Sequence, residues 1–367
     1  MKPTQRLHEL GQSLWLDNIT RPMLAEGVLE GYIRDLSVTG LTSNPSIFDK
    51  AISGGDAYNE QIAEVAPKAA AGEGVGANDQ ERIFFELALA DLRDAADLFA
   101  DVHRRTAGVD GFVSLEVSPL IADDAEATIE EAKALHAKGE RDNIFIKIPG
   151  TQAGREAIEE SIFAGVPINV TLLFSTDHYL DSADAYMRGI ERRIEAGLDP
   201  DIASVASLFI SRWDVAVGKE VPDQLVNRLG IAVGGRAFRA YHELLQSDRW
   251  LRLMNEGARP QRLLWASTGT KDPDASDTLY IEAFASPLTV NTMPEPTLKA
   301  FADHGEVTDL FPKDGGNAEQ VLAEFTEAGI DVAALATRLQ EEGKESFNKS
   351  WDELLASIES QSGVKAG

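Results

Sequence analysis

The 367-residue chain is 43% apolar and 26% charged, the proportions of an ordinary globule rather than a disordered chain. Its 34 Lys and Arg against 61 Asp and Glu leave a net charge of −27, which argues against nucleic acid or an anionic membrane surface as a partner, since such binding rests on many cations neutralising phosphates. With no cysteine, disulfides, thiolate nucleophiles and thiolate metal sites are excluded, whereas one small anion needs only a local cluster of donors.

The first segment, MKPTQRLHEL, lacks the apolar core of a signal peptide, and no apolar run approaches a membrane span. A cytoplasmic location is expected. Short apolar, β-rich runs then alternate with longer amphipathic stretches. In chain order the runs are SLWLD ending at Asp17, VTGLTS at Ser43, GFVSLE at Glu116, NIFIKI at Ile148 and INVTLLF at Phe174. ASVASLF follows, ending at Phe209, then RLLWAST at Thr268 and PLTVNT at Thr292. Between them, residues 82–103, 124–138 and 176–196 carry apolar side chains at helical spacing, the last behind Ser175, a good N-cap. Residues 48–82 and 215–261 read as helical insertions. Near the end, Trp351, Leu354, Leu355 and Ile358 fall at i, i+3, i+4 and i+7, an apolar face that docks a last helix on the body. Eight strands alternating with helices predict a closed parallel α/β barrel, a (β/α)8 TIM barrel. Extra N- and C-terminal helices and the insertions are expected to join it in one domain over residues 1–367.

Polar residues gather where those strands end. Asp17, Asn44, Glu116, Lys147, Thr171 and Ser207 all lie at or near C-terminal strand ends, the face on which such barrels carry their chemistry. Lys147 is the most informative. It interrupts the buried-strand run Ile144-Phe145-Ile146-Lys147-Ile148, and alternation places it opposite Ile146 and Ile148. If the isoleucines face the helices, Lys147 points into the barrel. The other possibility is a lysine snorkelling from a half-exposed strand. Burial disfavours an ammonium, so an inward lysine is a usable nucleophile toward a ketone. Two carboxylates in different settings, Asp17 and Glu116, could divide the proton transfers such chemistry needs. Each could instead cap a helix, although Glu is a poor N-cap.

Asn44 precedes Pro45, which pushes it to an extended conformation, and it could simply stabilise a turn, with Ser46 capping the next helix. Thr171 could be there for strand propensity alone. Ser207 followed five residues later by Arg212 suits a phosphate, because a guanidinium offers a planar fork of donors. The histidines, His8, His103, His136, His178, His242 and His304, show no metal-ligand spacing and read as surface or packing residues. No Walker loop, GxGxxG fingerprint or GxSxG elbow is present.

Taken together, the blocks LWLDNITR, GLTSNPSIF, VSLEVSP, NIFIKIPGT, INVTLLFS and SVASLFISRWD resemble the transaldolase family, in particular its longer bacterial members, over essentially the whole chain. TSNPSIF and IKIPGT are the most specific. The resemblance implies a class I aldol mechanism with no metal and no cofactor. It would carry a dihydroxyacetone unit from sedoheptulose 7-phosphate to glyceraldehyde 3-phosphate in the pentose phosphate pathway. It also implies the roles: Lys147 forms the Schiff base, and Asp17 takes the C4 hydroxyl proton. Glu116 and Thr171 hold the water, Asn44 orients the hydroxyls, and Ser207 and Arg212 bind the distal phosphate. Partners are then small phosphorylated sugars, with the protein a monomer or homodimer. The family often has a second basic phosphate contact, for which Arg236, Arg239 and Lys271 are possible positions.

Overall fold

The computed structural model describes residues 1–218 and 220–363. Eight strands, β1 (Ser13–Asp17), β2 (Val38–Thr42), β3 (Val113–Glu116), β4 (Ile144–Pro149), β5 (Ile168–Leu173), β6 (Ser204–Phe209), β7 (Arg262–Ala266) and β8 (Val290–Met293), form a closed barrel in sequence order. Every neighbouring pair is parallel, and β1 pairs with β8 to close the ring. The predicted (β/α)8 fold is therefore the one observed, strand for strand.

The strands are short apolar runs because they are buried on both faces, and their period-two alternation sorts two cores. Ile144, Ile146 and Ile148 join the shell between barrel and helices, with Leu14, Leu16, Ile168, Val170, Ala206 and Leu208. Their alternates turn inward. Trp15, Phe112, Phe145, Val205, Leu264 and Val290 fill the lower barrel, with Phe112 and Phe145 stacked at 4.0 Å between ring centroids. Gly40 lets the β2 backbone pass beside Trp15, since a Cβ there would lie 2.6 Å from the indole nitrogen. The inward positions one step further along the strands are polar.

The helices follow the predicted signals. Asp79–Arg105 spans the first expected helix, Ala125–Gly139 starts behind Asp124, whose carboxylate accepts from Ala127 N, and Thr176–Glu195 starts behind Ser175, which accepts from His178 N. The stretch 215–261 resolves into the end of Ser211–Val217, then Leu229–Leu245 and Asp248–Asn255. Helix Leu229–Leu245 packs on helix Ala318–Glu327 rather than over the barrel mouth. The last helix, Val332–Ser362, buries Trp351, Leu354 and Ile358 as their spacing predicts and crosses the C-terminal end of the barrel. Among the described residues, no helix is long and apolar enough to cross a membrane.

Candidate active site

A cavity of about 160 Å³ opens at the C-terminal mouth of the barrel, lined among others by Asp17, Asn44, Lys147, Thr171, Ser207 and Arg212. Six of the seven residues singled out from the sequence thus share one pocket. The seventh, Glu116, reaches it through Lys147.

Lys147 turns inward as alternation requires and is 6% exposed. Its Nζ donates to Ser43 O at 3.0 Å and to Glu116 Oε2 at 3.1 Å. Register puts the pair side by side, since Glu116 of β3 lies opposite Lys147 of β4. Glu116 is 4% exposed, and its burial raises its proton affinity above the ordinary carboxylate range, against the pull of the Lys147 charge and hydrogen bond. Asp17, at the end of β1, is also shifted up by burial, opposed by a Thr42 hydrogen bond and by the charges of Lys147 and Lys271. One lysine is thus bracketed by two carboxylates that hold protons more readily than free ones.

The Thr42 hydroxyl donates to Asp17 Oδ1 at 2.7 Å. A hydroxyl has one proton, so Thr292, whose Oγ1 lies 2.7 Å from Thr42 Oγ1, must be the donor of that second contact. Asp17 does not cap the next helix, because Thr20 does. Asn44 is itself the cap of helix Pro45–Ser53, accepting from Ile47 N at 3.1 Å, and Ser46 donates to it at 2.8 Å. The expected cap at Ser46 is therefore corrected: Pro45 leaves Asn44 extended, the backbone geometry a cap needs. With Oδ1 engaged by the helix, the Asn44 amide group is oriented at the pocket wall.

Thr171 is fully buried, and among the described residues its Oγ1 has no hydrogen-bond partner. An unpaired buried hydroxyl costs on the order of 1–3 kcal/mol, and this one belongs to a residue of the cavity lining. The next residue, Leu172, has φ +58°, a region that a branched side chain rarely occupies. Ser207 donates to Asn169 Oδ1 at 2.7 Å, and Asn169 in turn donates to Ser114 Oγ at 3.2 Å, a polar layer beneath the cavity.

Arg212 follows β6 and Lys271 follows β7, and both line the outer part of the cavity. Among the described residues neither forms an ion pair, in a chain with many more carboxylates than cations. Arg236 and Arg239, the other positions considered for a second cation, are held by Glu319 on the exposed surface between two helices. The sequence reading missed Thr42, Thr292 and Ser267, which the strand-end rule would have found had it been applied to every strand. It also missed Ser346, Phe347 and Ser350 of the last helix, which roof the cavity and carry no local signal. Among the described residues no cluster of three or more His, Asp or Glu is arranged to hold a metal ion.

Comparison with known proteins points the same way. A family model described as Transaldolase/Fructose-6-phosphate aldolase matches residues 14–358. A transaldolase of Parafrankia sp. (strain EAN1pec) is 44% identical over 100% of this chain and 99% of its own length. Transaldolases of Arthrobacter sp. (strain FB24) and Thermobifida fusca (strain YX) are 43% and 41% identical, covering 97% and 98% of this chain and 96% and 98% of their own.

Proposed function

The chain belongs to the transaldolase/fructose-6-phosphate aldolase family, and on that premise we propose that it is a transaldolase working through a Schiff base on Lys147. The observation that carries the reading is the buried Lys147 amine at the cavity wall, in contact with Glu116 and within the field of Asp17. Relatives of the same length, all transaldolases, favour transfer over release of the three-carbon unit.

In this reading Lys147 Nζ adds to the ketone carbon of sedoheptulose 7-phosphate. Attack needs a neutral amine, and Glu116, which already accepts its hydrogen bond, is the group placed to take the proton. The carbinolamine loses water to give an iminium, with Glu116 and Thr171 holding that water between them. Thr171 brings an uncommitted hydroxyl to the task. Asp17 then removes the C4 hydroxyl proton, the C3–C4 bond breaks, and its electrons pass into the iminium as an enamine. Erythrose 4-phosphate leaves. The enamine carbon attacks the aldehyde of glyceraldehyde 3-phosphate, Asp17 returns the proton, and hydrolysis of the new imine frees fructose 6-phosphate. Asn44 orients the dihydroxyacetone hydroxyls from its capped position. Arg212 and Lys271 grip the distal phosphate, and Ser207 turns its hydroxyl to it from Asn169.

Borohydride reduction with fructose 6-phosphate, followed by peptide mass mapping, tests the proposal. A three-carbon adduct on Lys147 is expected. No adduct, or one on another lysine, overturns it. A coupled assay separates transfer from simple cleavage: full turnover without an aldehyde acceptor, with free dihydroxyacetone released, would mark an aldolase instead.

A further inference from the structure

We propose that Gln340, on the last helix, is a positioning residue that holds the bulge in β5 and thereby aims the Thr171 hydroxyl at the reacting centre. The inference rests on the role given to Thr171 above. β5 does not run straight. Its pairing with β6 shifts register between Val170 and Leu173, and Leu172 lies in the left-handed region at φ +58°. Such a bulge re-aims the side chains beside it and persists only where its surroundings over-determine it. Thr171 is the residue just before, and no hydrogen bond of its own sets its hydroxyl. The backbone on either side must do so.

That backbone is held from outside the strand. Gly150 N donates to Thr171 O at 2.8 Å. Gln340 Nε2 donates to Leu172 O at 2.9 Å and to Gly150 O at 3.3 Å. One amide nitrogen has two protons, enough for both carbonyls. Gln340 therefore ties the ends of β4 and β5, the strands that carry Lys147 and Thr171, although it lies 168 positions from Leu172 in the chain. The seat around it is tailored. Gly343, one turn on, lets the helix approach, since a Cβ there would lie 3.0 Å from Leu172 Cδ2. His178 Nδ1 sits 3.5 Å from the same Gln340 nitrogen and accepts from Phe174 N at 3.3 Å, which continues the support beyond the bulge. The helix docks through apolar side chains on both sides of Gln340, Leu335, Ala336 and Leu339 before it and Trp351, Leu354 and Ile358 beyond it. The donors of Gln340 go to strand carbonyls.

Gln340→Met keeps the side-chain length and removes both donors. We expect kcat to fall about tenfold, with KM for both sugar phosphates within about twofold, because sub-ångström misplacement of a reacting group acts on the chemical step. In a double-mutant cycle, Gln340→Met with Thr171→Ala should be no slower than Thr171→Ala alone, within about twofold, since both changes disable the same hydroxyl. A purely structural role predicts multiplied effects and a drop in the thermal midpoint that matches the loss. Wild-type kcat in Gln340→Met, or multiplied losses, overturns the clamp and leaves the role of Thr171 standing. Wild-type kcat in Thr171→Ala overturns that role and the clamp with it.

Discussion

At the N-terminal mouth of the barrel, Arg262 donates to Ser13 Oγ at 2.7 Å and to Val109 O at 2.8 Å, while Asp110 accepts from Ser13, from Trp15 Nε1 at 2.8 Å and from Gly111 N at 3.0 Å. At the C-terminal mouth, among the described residues, Arg212 and Lys271 form no ion pair and the Thr171 hydroxyl has no hydrogen-bond partner, while Asp17 and Glu116 hold protons above their ordinary range. Both ends carry cations, carboxylates and hydroxyls on one scaffold. At one end each charge is matched by the chain itself, which stabilises the fold. At the other Lys147 and Glu116 match each other, while Arg212 and Lys271 are left without an ion pair among the described residues, and in the proposed function the substrate phosphate supplies theirs, at a cost in stability.

Mutations at the two ends should therefore separate activity from stability. The largest effect is expected at Lys147. Lys147→Ala should lower kcat by about 10⁴-fold or more, because nothing replaces the covalent step, while circular dichroism and the thermal midpoint report an intact fold. Asp17→Asn should lower kcat by roughly 10²–10⁴-fold with little change in KM, as for loss of a positioned proton acceptor. The same variant should raise the thermal midpoint at neutral pH. A carboxylate whose folded pKa is raised binds protons more tightly folded than unfolded, so its contribution is favourable at low pH and lost as pH rises through the folded value. Removing its charge removes that cost, and a lower midpoint at pH 7 would break the comparison.

At the opposite end, Asp110→Ala should cost about 3 kcal/mol by urea denaturation, since it strands the Ser13 and Trp15 donors and takes the carboxylate away from the Arg262 charge, with kcat within about twofold. A large loss of kcat at undiminished stability would show that the two ends are not divided as described. The smallest effect should come from Arg212→Ala: KM for both phosphorylated substrates rises about tenfold while kcat changes less, and a larger loss follows when Lys271 is also replaced. The acid limb of the kcat/KM profile should lie above the ordinary carboxylate range, because Asp17 must be ionised to act and burial raises its proton affinity. In Asp17→Asn, the residual rate should lose the part of that limb that belongs to Asp17.

Much of the site could be read locally. Alternation within β4 set Lys147 opposite Ile146 and Ile148, and position at the C-terminal strand ends picked out Asp17, Asn44, Glu116, Thr171 and Ser207. Where the reading failed, the cause was distance along the chain. Arg236 and Arg239 looked as eligible as Lys271, and only the packing of helix Leu229–Leu245 against Ala318–Glu327 shows them neutralised by Glu319. Ser346 and Phe347 look like ordinary positions on a long helix until that helix is laid across the barrel mouth.

The amino-acid sequence by itself determined the eight strands, the alternation of their two faces and the end at which the polar residues gather. All of these follow from short-range periodicity and from which side chains water tolerates. The tertiary structure alone decided which cations among the described residues form no ion pair, that the Thr171 hydroxyl finds no partner among them, and that Gln340 spans two strand ends. Those depend on contacts between residues far apart in the chain, which exist only once the barrel has closed and the last helix has docked.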